Sequence, residues 1–213
     1  MRCGSFLSGF RRPIVEHHVR PGERPARTTV LAMRVVAGTA RGRTIDAPPG
    51  TSTRPTSDRV RESIFNALGS LDVVVDATVL DLFAGSGALG IEALSRGAAR
   101  ATFVESDRRA VRVIEENLRR CGLDDRATVV TADATRFALR GSTFDLALAD
   151  PPYAFDQWPD LLDAVDAETL VIESDRAVAV TARWDVVRDR TYGSTVVQIV
   201  TRAHPNPPVA PRS

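Results

Sequence analysis

From residue 76 onward, short apolar runs alternate with longer stretches in which apolar positions recur every three or four residues. "ATVLDLF" reads as a strand, "GALGIEALSRG" as a helix, "ATFVES" as a strand and "DRRAVRVIEENLRRCG" as a helix. "ATVVT" and "FDLALAD" are further strands, followed by a helix over 157–166 and a strand "TLVIES". Strands that alternate with helices predict a parallel sheet covered on both faces. The end of the chain differs. "WDVVRDRTYGSTVVQIVTR" holds two strand-like runs joined by Tyr192-Gly193-Ser194, which leaves no room for a crossover helix. Neighbouring strands joined so tightly must run antiparallel. The expectation is a Rossmann-like α/β fold: a mostly parallel seven-stranded sheet with a terminal antiparallel hairpin.

The front of the chain has another pattern. Residues 1–32 lack apolar periodicity and predict a disordered basic leader. Its paired His17 and His18 read as ordinary tail histidines. "MRVVAG" and "RTIDAP" flank "TARG" and read as a small hairpin, so residues 33–56 form a basic hairpin and linker. "SDRVRESIFNALG" opens the main domain, 57–203, as a helix. Ser57 is its N-cap candidate, Val60, Ile64 and Leu68 share a face, and Gly69 is a stop signal. The Pro-rich residues 204–213 predict a disordered tail.

Composition sharpens this division. The net charge is +1, but it is unevenly spread. Residues 1–32 carry six Arg against two acids, residues 33–61 again six against two, and residues 62–213 sixteen against twenty-three. A basic front before an acidic body suggests a polyanionic partner. All 28 cationic side chains are Arg, which a GC-rich genome explains without function. The 2 cysteines, Cys3 and Cys121, have no metal-ligand spacing, so a reducing compartment is the default and no metal is expected. No apolar run approaches the roughly 20 residues that span a bilayer. The expected place is the cytoplasm, with no membrane partner.

The candidate chemistry lies at strand ends. In "VLDLFAGSGALGIEAL", Gly85, Gly87 and Gly90 fit G-x-G-x-x-G between a strand and a helix. Such a turn lets a ligand approach the backbone at a helix N-terminus. Glu105 ends the next strand, where an acid accepts hydrogen bonds from ribose hydroxyls. A nicotinamide cofactor would use the same elements. Asp81, however, opposes a pyrophosphate and favours a cationic group, and S-adenosylmethionine carries an ammonium, a sulfonium and no phosphate. Asp133 follows the third strand, placed for an adenine amine, and Asp150 ends the fourth. Any one of these acids could simply cap a helix. Four of them beside a glycine loop form a candidate cofactor and catalytic rim at the carboxyl ends of the strands. The expected cofactor contacts are Asp81, Phe83, Gly85, Ser86, Gly87, Glu105, Ser106, Asp133 and Ala134.

"ADPPY" closes an apolar run with two residues that have no N–H to donate, so a strand ends at a stiff corner. "DLFAGSGALGIEALSRGA" resembles the cofactor loop of class I methyltransferases that use S-adenosylmethionine. "DPPY" resembles their [N/D/S]-P-P-[Y/F/W] motif for nitrogens attached to planar groups. "RPTSDRVRESIFN" resembles the signature of RsmD-like bacterial enzymes, and the resemblance runs from about Met33 to Arg202. It implies methylation of the N2 amine of one guanine in 16S ribosomal RNA, within a small-subunit particle and by a monomer. It also implies Asp150, Pro151, Pro152 and Tyr153 as the catalytic corner, with Asp150 and the carbonyl of Pro151 accepting from the amine and Tyr153 stacking on the base. Phosphate contacts are expected from Arg34, Arg41, Arg43 and Arg54. Asp58, Arg59 and Arg61, at a helix start, are left between RNA and the cofactor pocket. The alternatives are a DNA adenine-N6 or protein glutamine methyltransferase, an NAD-dependent oxidoreductase, and an RNA-binding assembly factor without catalysis.

Overall fold

The structure is a computed structural model that describes residues 33–49 and 57–204. The predicted leader, Arg54 and all but the first residue of the predicted tail lie outside them. The elements run in order: β1 (Met33–Arg34), β2 (Thr44–Ile45), α1 (Asp58–Ser70), β3 (Thr78–Leu82), α2 (Ala88–Ser95), β4 (Arg100–Glu105), α3 (Arg108–Cys121), β5 (Ala127–Thr131), α4 (Ala134–Ala138), β6 (Phe144–Ala149), α5 (Trp158–Ala164), β7 (Ala167–Ser174), β8 (Trp184–Tyr192) and β9 (Thr195–Arg202). A single 3-10 turn, Asp124–Arg126, precedes β5.

Seven strands form one sheet in the order β5-β4-β3-β6-β7-β9-β8. The pairs from β5 through β7 are parallel, and β9 runs antiparallel to both β7 and β8. The α/β reading and its terminal antiparallel hairpin are what the sheet shows. Strand order reverses between β3 and β6, and such a reversal opens a crevice at the carboxyl ends of the strands. One face of the sheet is covered by α1, α2, α3 and the front hairpin, the other by α4 and α5.

Several boundaries shift from the sequence reading. α1 begins after Ser57, whose hydroxyl accepts the N–H of Val60, but it runs through Gly69 to Ser70. Val60, Ile64 and Leu68 are all buried. The short helix α4 was not anticipated, because five residues are too few to display a helical repeat. The hairpin strands β1 and β2 are only two residues each.

The hairpin is not a free arm. It lies against α2, every residue of which is buried. Glu92, fully buried on that helix, accepts the N–H groups of Val36 (2.8 Å) and Ala37 (3.0 Å) and the Nε–H of Arg96 (2.7 Å). Arg61 of α1, also fully buried, brings its Nε within 3.6 Å of Glu92 and donates from Nη2 to the carbonyl of Arg34. A Cβ on Gly38 would lie 1.8 Å from the Ser95 carbonyl oxygen, so only glycine permits this approach. On the other side, buried Asn117 of α3 accepts from the Asp46 N–H and donates to the carbonyls of Asp46 and Ser86. One side chain thus ties the hairpin to the glycine loop. Arg61 therefore serves the seating of the hairpin, which settles one of the roles left open by sequence.

Candidate active site

The glycine loop leaves β3 and enters α2 through Gly85 and Gly87, both at positive φ (+54° and +78°). The third glycine is needed for closeness. A Cβ on Gly90 would meet the Phe103 ring at 2.3 Å, and its N–H donates to Asp81 Oδ2 at 2.9 Å. Phe83 also takes a positive φ of 58°, uncommon for a residue with a side chain. Its ring packs edge-on against Phe155 at 5.1 Å, and Phe155 packs likewise on Trp158. The Phe155 N–H closes a turn onto the Pro152 carbonyl at 2.8 Å. The aromatic chain thus locks the proline corner to the glycine loop.

Between loop and corner lies a cleft of about 300 Å³. Asp81, Phe83, Gly85, Ser86, Glu105 and Ser106 line it, as do Asp150, Pro151, Pro152 and Tyr153. The structure therefore brings most of the expected site residues together. Gly87 is not a lining residue; it shapes the turn into α2. Asp133 and Ala134 do not line the cleft either. Asp133 caps α4, its Oδ1 accepting the Arg136 N–H at 2.9 Å, and Ala134 is buried at the start of that helix.

Register explains the convergence of the acids. Asp81 pairs with Phe103 and Leu148, and Leu148 with Val171. These positions share one face of the sheet, because side chains alternate. Two residues further along β4, β6 and β7 come Glu105, Asp150 and Glu173. Glu173 is 5% exposed and also lines the cleft. It escaped the sequence reading, although "VIES" carries the same strand-end acid as "FVES".

Electrostatics narrows what the cleft can hold. Its walls carry Asp81, Glu105, Asp107, Asp150 and Glu173, and among the described residues that line it there is no Arg or His. Glu105 is fixed at both oxygens, Oε2 by the Gly85 N–H (2.9 Å) and Oε1 by the Asp107 N–H (2.8 Å). A carboxylate keeps lone pairs for further donors even then. Burial pushes the Asp81 carboxyl well above its ordinary range; the Gly90 N–H pulls against this, and the nearby charges of Asp150 and Glu105 add to it. A pyrophosphate would meet only like charge here, whereas a ligand ammonium would find acceptors. This set of acceptors fits S-adenosylmethionine.

These facts give a pH prediction. A buried acid whose pKa is raised on folding contributes stability below its ordinary pKa of 3.8, and loses it as pH rises through the folded value. Asp81→Asn is expected to melt no lower than wild type at neutral pH. A cationic ligand favours the ionised carboxylate, so wild-type affinity for S-adenosylmethionine should rise as pH rises through the elevated Asp81 value. In Asp81→Asn it should be weaker and flatter with pH. Calorimetric titration at several pH values checks both.

Of the expected phosphate contacts, Arg34, Arg41 and Arg43 are exposed on the hairpin. Arg43 also donates to the Arg120 carbonyl at the end of α3. Tyr153 is 47% exposed, so it is not a core residue.

Comparison with known proteins agrees with this geometry. The family model described as "Conserved hypothetical protein 95" matches residues 33–201. Ribosomal RNA small subunit methyltransferase D of Escherichia coli K12 is 36% identical over 181 residues, covering 80% of this chain and 90% of that protein. The chain belongs to the RsmD family of methyltransferases. The Haemophilus influenzae member of the same name is 31% identical over 180 residues, covering 76% of this chain and 89% of that one. The solved structure of Escherichia coli yhhF, 35% identical, superposes with a TM-score of 0.72 over 80% of this chain and 98% of that one.

Proposed function

We propose that this chain transfers a methyl group from S-adenosylmethionine to the N2 amine of one guanine in 16S ribosomal RNA, within a small-subunit particle. The observation that carries the reading is the Asp150-Pro151-Pro152-Tyr153 corner opening onto a cleft whose charged lining residues are all acidic. The names of the bacterial relatives support the RNA substrate. The basic hairpin beside the cleft supports a polyanion. No helix among the described residues is long and apolar enough to cross a membrane.

When bound, the cofactor supplies an electrophilic methyl group on a sulfonium whose departure leaves a neutral thioether. The reaction therefore needs neither a metal nor an acid for its leaving group. Asp81 holds the ammonium end and Glu105 the ribose hydroxyls. The exocyclic amine of guanine is a poor nucleophile, because its lone pair is conjugated with the ring. Asp150 and the Pro151 carbonyl accept its N–H groups, draw the nitrogen towards tetrahedral geometry and aim the lone pair at the methyl carbon. Once the amine has accepted the methyl group, its surplus proton would leave on the Asp150 side. Positioning of this kind contributes ~7–11 kcal/mol. Tyr153 stacks on a base that has left its helix.

The test is incorporation of labelled methyl into particles from a strain lacking the enzyme. Label in small-subunit RNA is expected; label only in DNA or protein would overturn the reading. Arg41→Glu with Arg43→Glu should weaken RNA binding, flatten its salt dependence by about one unit of slope per lost phosphate contact, and leave cofactor affinity unchanged. A loss of cofactor affinity instead would assign the hairpin to the cleft.

A further inference from the structure

We infer that Glu173 reads the Watson–Crick edge of the target base, accepting the N1–H that distinguishes guanine from adenine. The inference rests on the proposed guanine reaction and adds a second base contact to it.

Glu173 stands one strand over from Asp150. Ala149 of β6 pairs with Ile172 of β7, and Asp150 and Glu173 are the next residues of each strand. Leu148 and Val171, two residues earlier, are paired and buried in the same core. Both acids line the cleft, next to the proline corner. Adjacent strands lie about 4.8 Å apart. That spacing suits two acceptors on neighbouring atoms of one planar base.

The chemistry matches. Guanine presents N1–H and the N2 amine side by side, two donors in a row. Adenine presents a lone pair at N1. An ionised carboxylate only accepts, so it bonds to guanine N1–H and repels adenine N1. Such rejection by an unfavourable contact is how specificity is usually secured. Flipped bases are read at this edge. At 5% exposure, Glu173 would meet a ligand in a largely water-excluded setting, where a hydrogen bond is electrostatically stronger than in water. An alternative role, holding the cofactor ammonium, makes a different prediction for binding.

The experiment compares wild type with Glu173→Gln on particles rebuilt with guanine or 2-aminopurine at the target position. 2-Aminopurine keeps the N2 amine but has a lone pair at N1. A glutamine amide can rotate to donate to that lone pair. Single-turnover rates give the preference for guanine, and the ratio of the two preferences cancels the intrinsic reactivity of each base. The preference should fall about ten- to a hundredfold in Glu173→Gln, with unchanged affinity for S-adenosylmethionine and an unchanged melting temperature. An unchanged preference would overturn the inference. A loss of cofactor affinity with preference intact would also overturn it, placing Glu173 at the ammonium. If Glu173→Gln does not fold, Glu173→Asp keeps the charge and should slow transfer while retaining the preference; a lost preference there counts against the idea. Failure of the underlying reaction is separately visible, because wild type would then leave guanine N2 unmethylated.

Discussion

Asp150→Ala is expected to reduce methyl transfer at least ~10²- to 10⁴-fold, the range typical for loss of a group that handles a proton in the transition state. Cofactor affinity should stay close to wild type. The carboxylate sits at the end of β6, directly before Pro151, and in the proposed reaction it would act on the amine rather than on the ammonium. An interaction that strengthens as the amine nitrogen rehybridises falls on turnover, not on binding. Tyr153 provides the control within the same corner. Tyr153→Phe keeps the ring and should keep activity. Tyr153→Ala should weaken engagement of the substrate by ~1–3 kcal/mol, the typical worth of base stacking. Neither should lower the melting temperature much, because Tyr153 is 47% exposed. Near-normal turnover in Asp150→Ala would remove the corner from the chemistry. Equal inactivity of both folded Tyr153 variants would give the hydroxyl a chemical role.

The largest loss of stability is expected for Glu92→Ala, about 3–5 kcal/mol, the usual consequence of breaking a buried ion pair from one side. Arg61 and Glu92 are both fully buried, and Arg61 Nε and Nη1 make no hydrogen bond among the described residues. Arg61 keeps only the Arg34 carbonyl and Asp58 Oδ1, the latter at 2.9 Å. Without Glu92 its charge is left largely uncompensated. The Val36 and Ala37 N–H groups lose their acceptor at the same time. Denaturant titration measures the total, and hydrogen exchange at Val36 and Ala37 localises it to the hairpin. A loss under about 1 kcal/mol, with unchanged protection at those amides, would mean that the hairpin is held by its apolar contacts instead. Met33, Val35, Ala40 and Ile45 are the buried apolar residues that would then carry it.

What could be read in the sequence follows from where the information lies. Strand ends were legible because an acid interrupts an apolar run at Asp81, Glu105 and Asp150, which is a local signal. The terminal hairpin was legible because Tyr192-Gly193-Ser194 is too short for a crossover. Glu173 carries the same local signal, but only the pairing of β6 with β7 shows that it stands beside Asp150. The Arg61–Glu92 pair was not legible at all. The partners are 31 residues apart on different helices, and only the packed fold shows that both are buried. Asp133 has a structural role that the sequence does not display. Its strand-end position resembles that of the other acids, but α4, too short to recognise by periodicity, makes it a helix cap.

The central claim is that the corner at the end of β6 directs a methyl group to a guanine N2 amine. The most direct test is to treat undermethylated small-subunit particles with labelled S-adenosylmethionine and either wild type or Asp150→Ala, then digest the RNA and identify the labelled nucleoside by mass spectrometry. Wild type is expected to yield N2-methylguanosine at a single guanine, and Asp150→Ala none above background. Label in any other nucleoside, or equal labelling by the two proteins, would contradict the central claim.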